Sequence, residues 1–237
     1  MIACPLDAPA PLAAFRGAPL YSGPLDFRHI AVEGSLGAGK TALAERLSVR
    51  LEAKLVLEDP ENPFLADFYA DRPGAALQTQ LFYLLSRHRQ QTSLRQTDLF
   101  AQATVCDYLF DKDKIFAYMN LDDNELFIYQ KLYDLLVQDV ATPDLVIYLQ
   151  APTETLVRRL QAQAGDPEHA ALLPDENYVR ELNEAYQHFF FHYNATSLLV
   201  VETSHADLHG SEAALDDLLK QIRGMGGGTR YYVPRTS

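Results

Sequence analysis

Short apolar runs alternate with longer stretches of helical periodicity along most of this chain. The runs occupy 28–33, 54–58, 104–107, 145–149 and 198–202. Each is four to six residues long and rich in Val, Ile or Leu, as a strand covered on both faces requires. After the first run Leu43, Leu47 and Leu51 recur every fourth residue, which makes one helical stripe. Longer amphipathic stretches follow at 75–98, 122–140 and 175–193. Five strands separated by helices predict an α/β fold, a five-stranded parallel sheet flanked by helices. In such sheets ligands bind beyond the carboxyl ends of the strands, so motifs placed there carry functional weight.

The ends read differently. Residues 1–27 hold Pro5, Pro9, Pro11, Pro19 and Pro24 among small residues and predict a flexible Pro/Ala-rich leader. Residues 224–237 start with a glycine-rich stretch and predict a flexible tail, leaving 28–223 as the folded domain.

Composition narrows the possibilities. With 237 residues and 48 % hydrophobic content the chain can bury a full core. A net charge of −12 excludes general affinity for nucleic acid or anionic membrane. Cys4 and Cys106 are the two cysteines, without CxxC or Cys/His zinc spacing, which points to a reducing cytoplasm. No apolar run approaches the roughly 18 residues of a membrane span. The N-terminus lacks the basic start and apolar core of a signal peptide.

The first strand runs into Gly34-Ser35-Leu36-Gly37-Ala38-Gly39-Lys40-Thr41, and a helix follows. This is GxxxxGK[ST] in strand–loop–helix context, a phosphate-binding loop. Its glycines let backbone N–H groups turn inward around phosphate oxygens, and the helix N-terminus adds its dipole. Lys40 is then expected at the β- and γ-phosphates of ATP, and Thr41 at Mg²⁺. No NKxD-type guanine motif occurs, so a small-molecule kinase is favoured over a GTPase. Glu58 closes the second strand, where a carboxylate can accept or orient an acceptor hydroxyl's proton. Asp107 ends the third strand and is a second candidate, as base or as a Mg²⁺ ligand.

Together with Asn62-Pro63-Phe64-Leu65, Phe68-Tyr69, Gln80-Leu81-Phe82, Arg87, Ile115-Phe116-Ala117 and Tyr148-Leu149-Gln150-Ala151, these residues resemble the deoxynucleoside kinases. The resemblance covers about residues 28 to 222 and is strongest to the bacterial deoxyadenosine/deoxyguanosine kinase branch. It implies 5′-phosphorylation of a deoxynucleoside, a purine one, in nucleotide salvage, with ATP and Mg²⁺, by a homodimer. It further implies Glu58 as the base on the 5′-hydroxyl, Tyr69 at the sugar 3′-hydroxyl, Gln80 reading the base, Arg87 assisting, and Phe116 stacking on the base. By themselves Tyr69 and Phe116 read sooner as core aromatics than as site residues, and Gln80 and Arg87 read equally as an exposed helix face. The apolar stretches 126–140 and 81–85 could supply the dimer face, and core packing explains them equally well.

Two segments depart from that family. Asp107 is followed by Tyr108 and Leu109 where relatives carry Arg and Ser, and the stretch to Phe116 is one residue shorter. Asp111 and Asp113 then compete as the acidic partner of Arg87. In the lid, about 163–175, Arg159 matches the first lid arginine, and Glu168 matches an acid implied to contact the sugar. Gln163 and Gly165 replace two phosphate-clamping arginines. From Leu160 to Leu219 eleven carboxylates face a single Arg180, so the acidity is concentrated there. A depleted clamp raises the alternative of a catalytically weakened, nucleotide-binding or regulatory protein. A nucleoside monophosphate kinase is the second alternative.

Overall fold

The five apolar runs become β1 (His29–Gly34), β2 (Lys54–Val56), β3 (Thr104–Cys106), β4 (Leu145–Gln150) and β5 (Ser197–Glu202) of a parallel sheet. The computed structural model describes residues 26–97, 103–164, 173–204, 208 and 210–234. The leader up to residue 25 and lid residues 165–172, Gly165 and Glu168 among them, lie outside the described residues.

Among the described residues the sheet has six strands rather than the expected five, in the order β2-β3-β1-β4-β5-β6. The extra strand, β6 (Thr229–Tyr232), comes from the segment expected to be a flexible tail and pairs in parallel with β5. Its sequence gives little sign of this because an edge strand alternates exposed and covered positions instead of forming an apolar run. Tyr232 is buried and donates to Asp217 Oδ2 at 2.6 Å, while Tyr231 faces outward. β1 and β4, in the middle, are covered almost throughout.

Among the described residues the helices are α1 (Lys40–Leu51), α2 (Leu65–Tyr69), α3 (Ala75–Thr97), α4 (Asp113–Asn120), α5 (Asp123–Leu136), α6 (Thr153–Ala164), α7 (Glu176–Phe191) and α8 (Glu212–Arg223). Two of the predicted amphipathic stretches begin one residue early because their first residue is the cap. Asp122 accepts from the amides of Asn124 and Glu125 while Glu125 accepts from the Asp122 amide, a reciprocal box. Asp175 accepts from the Tyr178 amide. The stretch from 137 to 139 tightens into a 3₁₀ turn.

The main core joins β1, β4 and β5 to Leu43, Leu47, Leu156, Leu182, Tyr186 and the buried face of α8. A smaller cluster of Leu84, Phe110, Ala117, Tyr129 and Tyr133 ties α3, α4 and α5 together beside the carboxyl ends of β2 and β3. Among the described residues no helix is long and apolar enough to cross a membrane.

Candidate active site

The glycine-rich segment leaves β1 and enters α1 through two backbone conformations that favour glycine. Gly37 has φ +74° and Gly39 φ +86°. At Gly37 an added Cβ would also lie 2.9 Å from the Leu156 carbonyl oxygen, so the loop packs tightly on α6. The first turn of α1 holds no acidic residue, so its positive end is not neutralised from within the helix. Lys40 curls over the loop, with Nζ donating to the carbonyls of Gly34 at 3.0 Å and Ser35 at 3.3 Å.

Strand order then assembles the rest. β3 lies between β2 and β1, so Asp107, just past its end, stands between the acceptor-side segment and the phosphate loop. One carboxylate oxygen accepts from Thr41 Oγ1 at 2.7 Å, and the other accepts from the Glu58 amide at 2.7 Å. Burial, and after it the neighbouring Glu58 charge, push the Asp107 carboxyl up to about 6 despite the Thr41 hydroxyl.

Glu58 has the opposite environment. Burial disfavours its charged form, but two cations outweigh that and hold the carboxyl at about 2. Arg87 Nε lies 2.6 Å from Oε1 and Lys112 Nζ 2.7 Å from Oε2. The network continues outward. Arg87 also pairs with Asp113, whose second oxygen accepts from Tyr129 OH at 2.7 Å. Gln80 Nε2 donates to the Asp113 carbonyl at 3.0 Å. Glu33, fully buried, accepts from the amides of Gly34 and Leu109 and from Tyr186 OH.

Of the residues expected at the site, Thr41, Asp107, Glu58, Arg87 and Gln80 thus join in one set of contacts, Gln80 through Asp113, while Lys40 stays on the phosphate loop beside Thr41. Phe116 is buried in the main core and meets Tyr186 edge to face at 6.2 Å. Tyr69 ends α2, half exposed, its ring edge-on to Phe68. Arg159 reaches from α6 to Thr203, just beyond the carboxyl end of β5. Gln163 is exposed.

The competition for Arg87 resolves to Asp113. Asp111 instead accepts from Tyr133 OH and lies 3.5 Å from Lys114. Sequence reasoning passed over Lys112 and Glu33. The one available signal for Lys112 was a lysine between two acids immediately downstream of Asp107.

Thr41 and Asp107 offer a hydroxyl and a carboxylate as adjacent hard oxygen donors. That set fits Mg²⁺, which takes one or two protein ligands and completes its shell with phosphate and water. Among the described residues no group of three His, Cys, Asp or Glu side chains could hold a metal, so phosphate oxygens would be needed to complete the shell.

Comparison with known proteins identifies the family and the fold. The deoxynucleoside kinase family profile spans residues 30–225. A deoxyguanosine kinase of Bacillus subtilis is 33 % identical over 160 residues, covering 67 % of this chain and 76 % of that protein. A deoxyadenosine kinase of Dictyostelium discoideum is 34 % identical over 171 residues, covering 70 % and 67 %. A solved structure of deoxyadenosine kinase from M. mycoides with bound dATP matches at TM-score 0.65 and 26 % identity, over 81 % of this chain and 98 % of that one. A phosphate loop joined through Asp107 to an ion-paired Glu58, on a parallel sheet with these relatives, makes the chain a member of the deoxynucleoside kinase family of phosphotransferases.

Proposed function

We propose that the protein transfers the γ-phosphoryl group of ATP to the 5′-hydroxyl of a purine deoxynucleoside, in nucleotide salvage. The run of contacts from Thr41 of the phosphate loop through Asp107 to Glu58, with Lys40 beside Thr41 on that loop, is the observation that carries this reading. It supports a phosphate donor after β1 and a hydroxyl acceptor after β2 meeting across the carboxyl end of β3, which lies between them. The named activities of the relatives from Bacillus subtilis and Dictyostelium discoideum support the purine assignment.

In this reading the loop amides and Lys40 cradle the ATP phosphates. Thr41 and Asp107 hold Mg²⁺, which supplies charge neutralisation at the phosphates. Glu58 lies too low in pKa to be a strong base. It orients the hydroxyl for in-line attack and takes its proton late, which suffices because phosphoryl transfer passes through a loose transition state needing little nucleophile activation. Gln80 and Phe116 address the base, Tyr69 and Glu168 the sugar, and Arg159 the transferring phosphates. Arg87 stays with Glu58 and Asp113, so it does not serve as a clamp for an acceptor phosphate. That favours a nucleoside over a nucleoside monophosphate as acceptor.

The same reading has the enzyme work in a reducing cytoplasm, in keeping with the buried free thiol of Cys106, and without nucleic-acid partners. It works as a homodimer through the outward apolar residues Phe127, Ile128 and Leu135 of α5. Gln163 in place of a clamping arginine favours modest turnover, the property of the weakened-kinase alternative.

A steady-state assay with ATP, Mg²⁺ and the four deoxynucleosides, the product identified by mass, tests the proposal. A 5′-monophosphate of deoxyadenosine or deoxyguanosine is expected. Turnover no greater than that of Lys40→Ala would sink it.

A further inference from the structure

Lys112 is fully buried. Its Nζ lies 2.7 Å from Glu58 Oε2 and 3.7 Å from Glu33 Oε2. With Arg87 Nε on Oε1, each oxygen of Glu58 meets its own cation, one from α3 and one from the turn before α4. That turn is pinned on both sides of Lys112. Phe110 inserts into the cluster of Leu84, Ala117, Tyr129 and Tyr133, and Asp113 binds Arg87 and Tyr129. The Lys112 amide donates to the Leu109 carbonyl at 3.2 Å, and the Leu109 amide donates in turn to Glu33. A lysine has four flexible side-chain torsions. Here both the backbone that carries it and the carboxylates that receive it are held.

The position also supplies what its neighbours do not. The two residues that follow Asp107 offer no cation to the site. Tyr108 turns its hydroxyl to Gln90 and Gln91, and Leu109 is buried in the core. An ammonium taken wholly out of water is costly unless carboxylates return the lost solvation, and an apolar side chain would fill such a space at lower cost. A purely packing role therefore explains Lys112 poorly, whereas its placement on the acceptor-side carboxylate explains it directly.

We propose that Lys112 is a positioning residue for phosphoryl transfer. Through Glu58 Oε2 it fixes the orientation of the carboxylate that aligns the acceptor hydroxyl. This inference rests on the kinase reading above and adds to it a residue outside the phosphate loop, the strand-end carboxylates and the lid.

The test compares Lys112→Met, Lys112→Arg and the control Lys114→Met, at a half-buried lysine of the same segment that does not touch Glu58, in the full-length chain. It measures kcat, KM for ATP and the deoxynucleoside, and the melting curve. Lys112→Met is expected to lose about 10²-fold in kcat, with KM for ATP within about twofold of wild type. Lys112→Arg should recover about tenfold of that loss, since it restores a cation, and Lys114→Met should match wild type. If Lys112→Met does not fold, Glu33→Gln/Lys112→Met removes the second carboxylate left beside the gap. The same loss of kcat is expected there. Wild-type kcat in a folded variant lacking Lys112 overturns the inference while leaving the kinase reading intact. So does an Arg variant as impaired as the Met variant with an equally lowered melting temperature, which would mark a structural role. Absence of turnover in the wild-type protein itself overturns both.

Discussion

Replacing Asp107 by Asn should stabilise the metal-free protein while abolishing phosphoryl transfer. The carboxyl is pushed from 3.8 to about 6, chiefly by burial and next by the charge of Glu58. Two pKa units at about 1.4 kcal/mol each put the penalty on the ionised form near 3 kcal/mol. Asn can keep both hydrogen bonds. Its Oδ1 accepts from the Glu58 amide, and its Nδ2 donates to Thr41 Oγ1 once that hydroxyl turns. Some of the gain is lost in re-forming those bonds, so a net of about 2 kcal/mol is expected, or roughly 4–8 °C in melting temperature for a chain of this size. The sign follows from linkage. The folded state binds the Asp107 proton more tightly than the unfolded chain. The wild-type protein is therefore favoured at low pH and loses that advantage as pH rises from 3.8 through about 6. Thermal unfolding of both proteins in EDTA at pH 4 and pH 8 reads the difference. The Asn variant should lead clearly at pH 8 and by less than about 1 kcal/mol at pH 4. An Asn variant no more stable than wild type at pH 8, or a lead independent of pH, would refute the reasoning. Stability given up for a metal-binding carboxylate is the expected trade at an active site.

Its neighbour should behave in the opposite sense. Glu58 is held at about 2 against an ordinary 4.5, so its ion pairs contribute about 3 kcal/mol above pH 4.5, lost as pH falls through about 2. Glu58→Gln should thus lower the urea midpoint at pH 7 and reduce kcat by about 10²-fold or more; an unchanged midpoint would mean that Arg87 and Lys112 do not stabilise the site through it. Restoring the lid clamp with Gln163→Arg and Gly165→Arg should raise kcat by about tenfold or more, and no increase would show that the substituted lid does not limit turnover. Phe127→Glu with Leu135→Glu, which puts charge on exposed apolar positions of α5, should halve the mass seen by light scattering. A wild-type protein that is already monomeric would remove the dimer proposal.

Short-range features were legible in the chain. The buried runs that became β1, β4 and β5 announced themselves because strands covered on both faces need continuous apolar sequence. The phosphate loop was legible because its glycines, lysine and threonine act within one strand–loop–helix unit. Elements whose burial depends on distant partners were harder to see. β6 is a half-covered edge strand preceded by three glycines. α8 was passed over although Leu215, Leu218, Leu219 and Ile222 line one helical face and Ser211 caps its start.

At the site the division is the same. The residue types were visible, namely Lys40, Thr41, Glu58, Asp107, Gln80 and Arg87, and so was the need for an acid near Arg87. The sequence by itself determined the α/β class and the phosphate loop, since periodicity and local motifs act over one or two elements. Only the tertiary structure decided that β3 lies between β2 and β1, setting Asp107 between Thr41 and Glu58. It also decided that Arg87 takes Asp113 and that Lys112 meets a carboxylate 54 residues away. Such pairings have no local signature. Which charges are desolvated together depends on how the strands and helices pack, and that packing sets one carboxyl near 2 and its neighbour near 6.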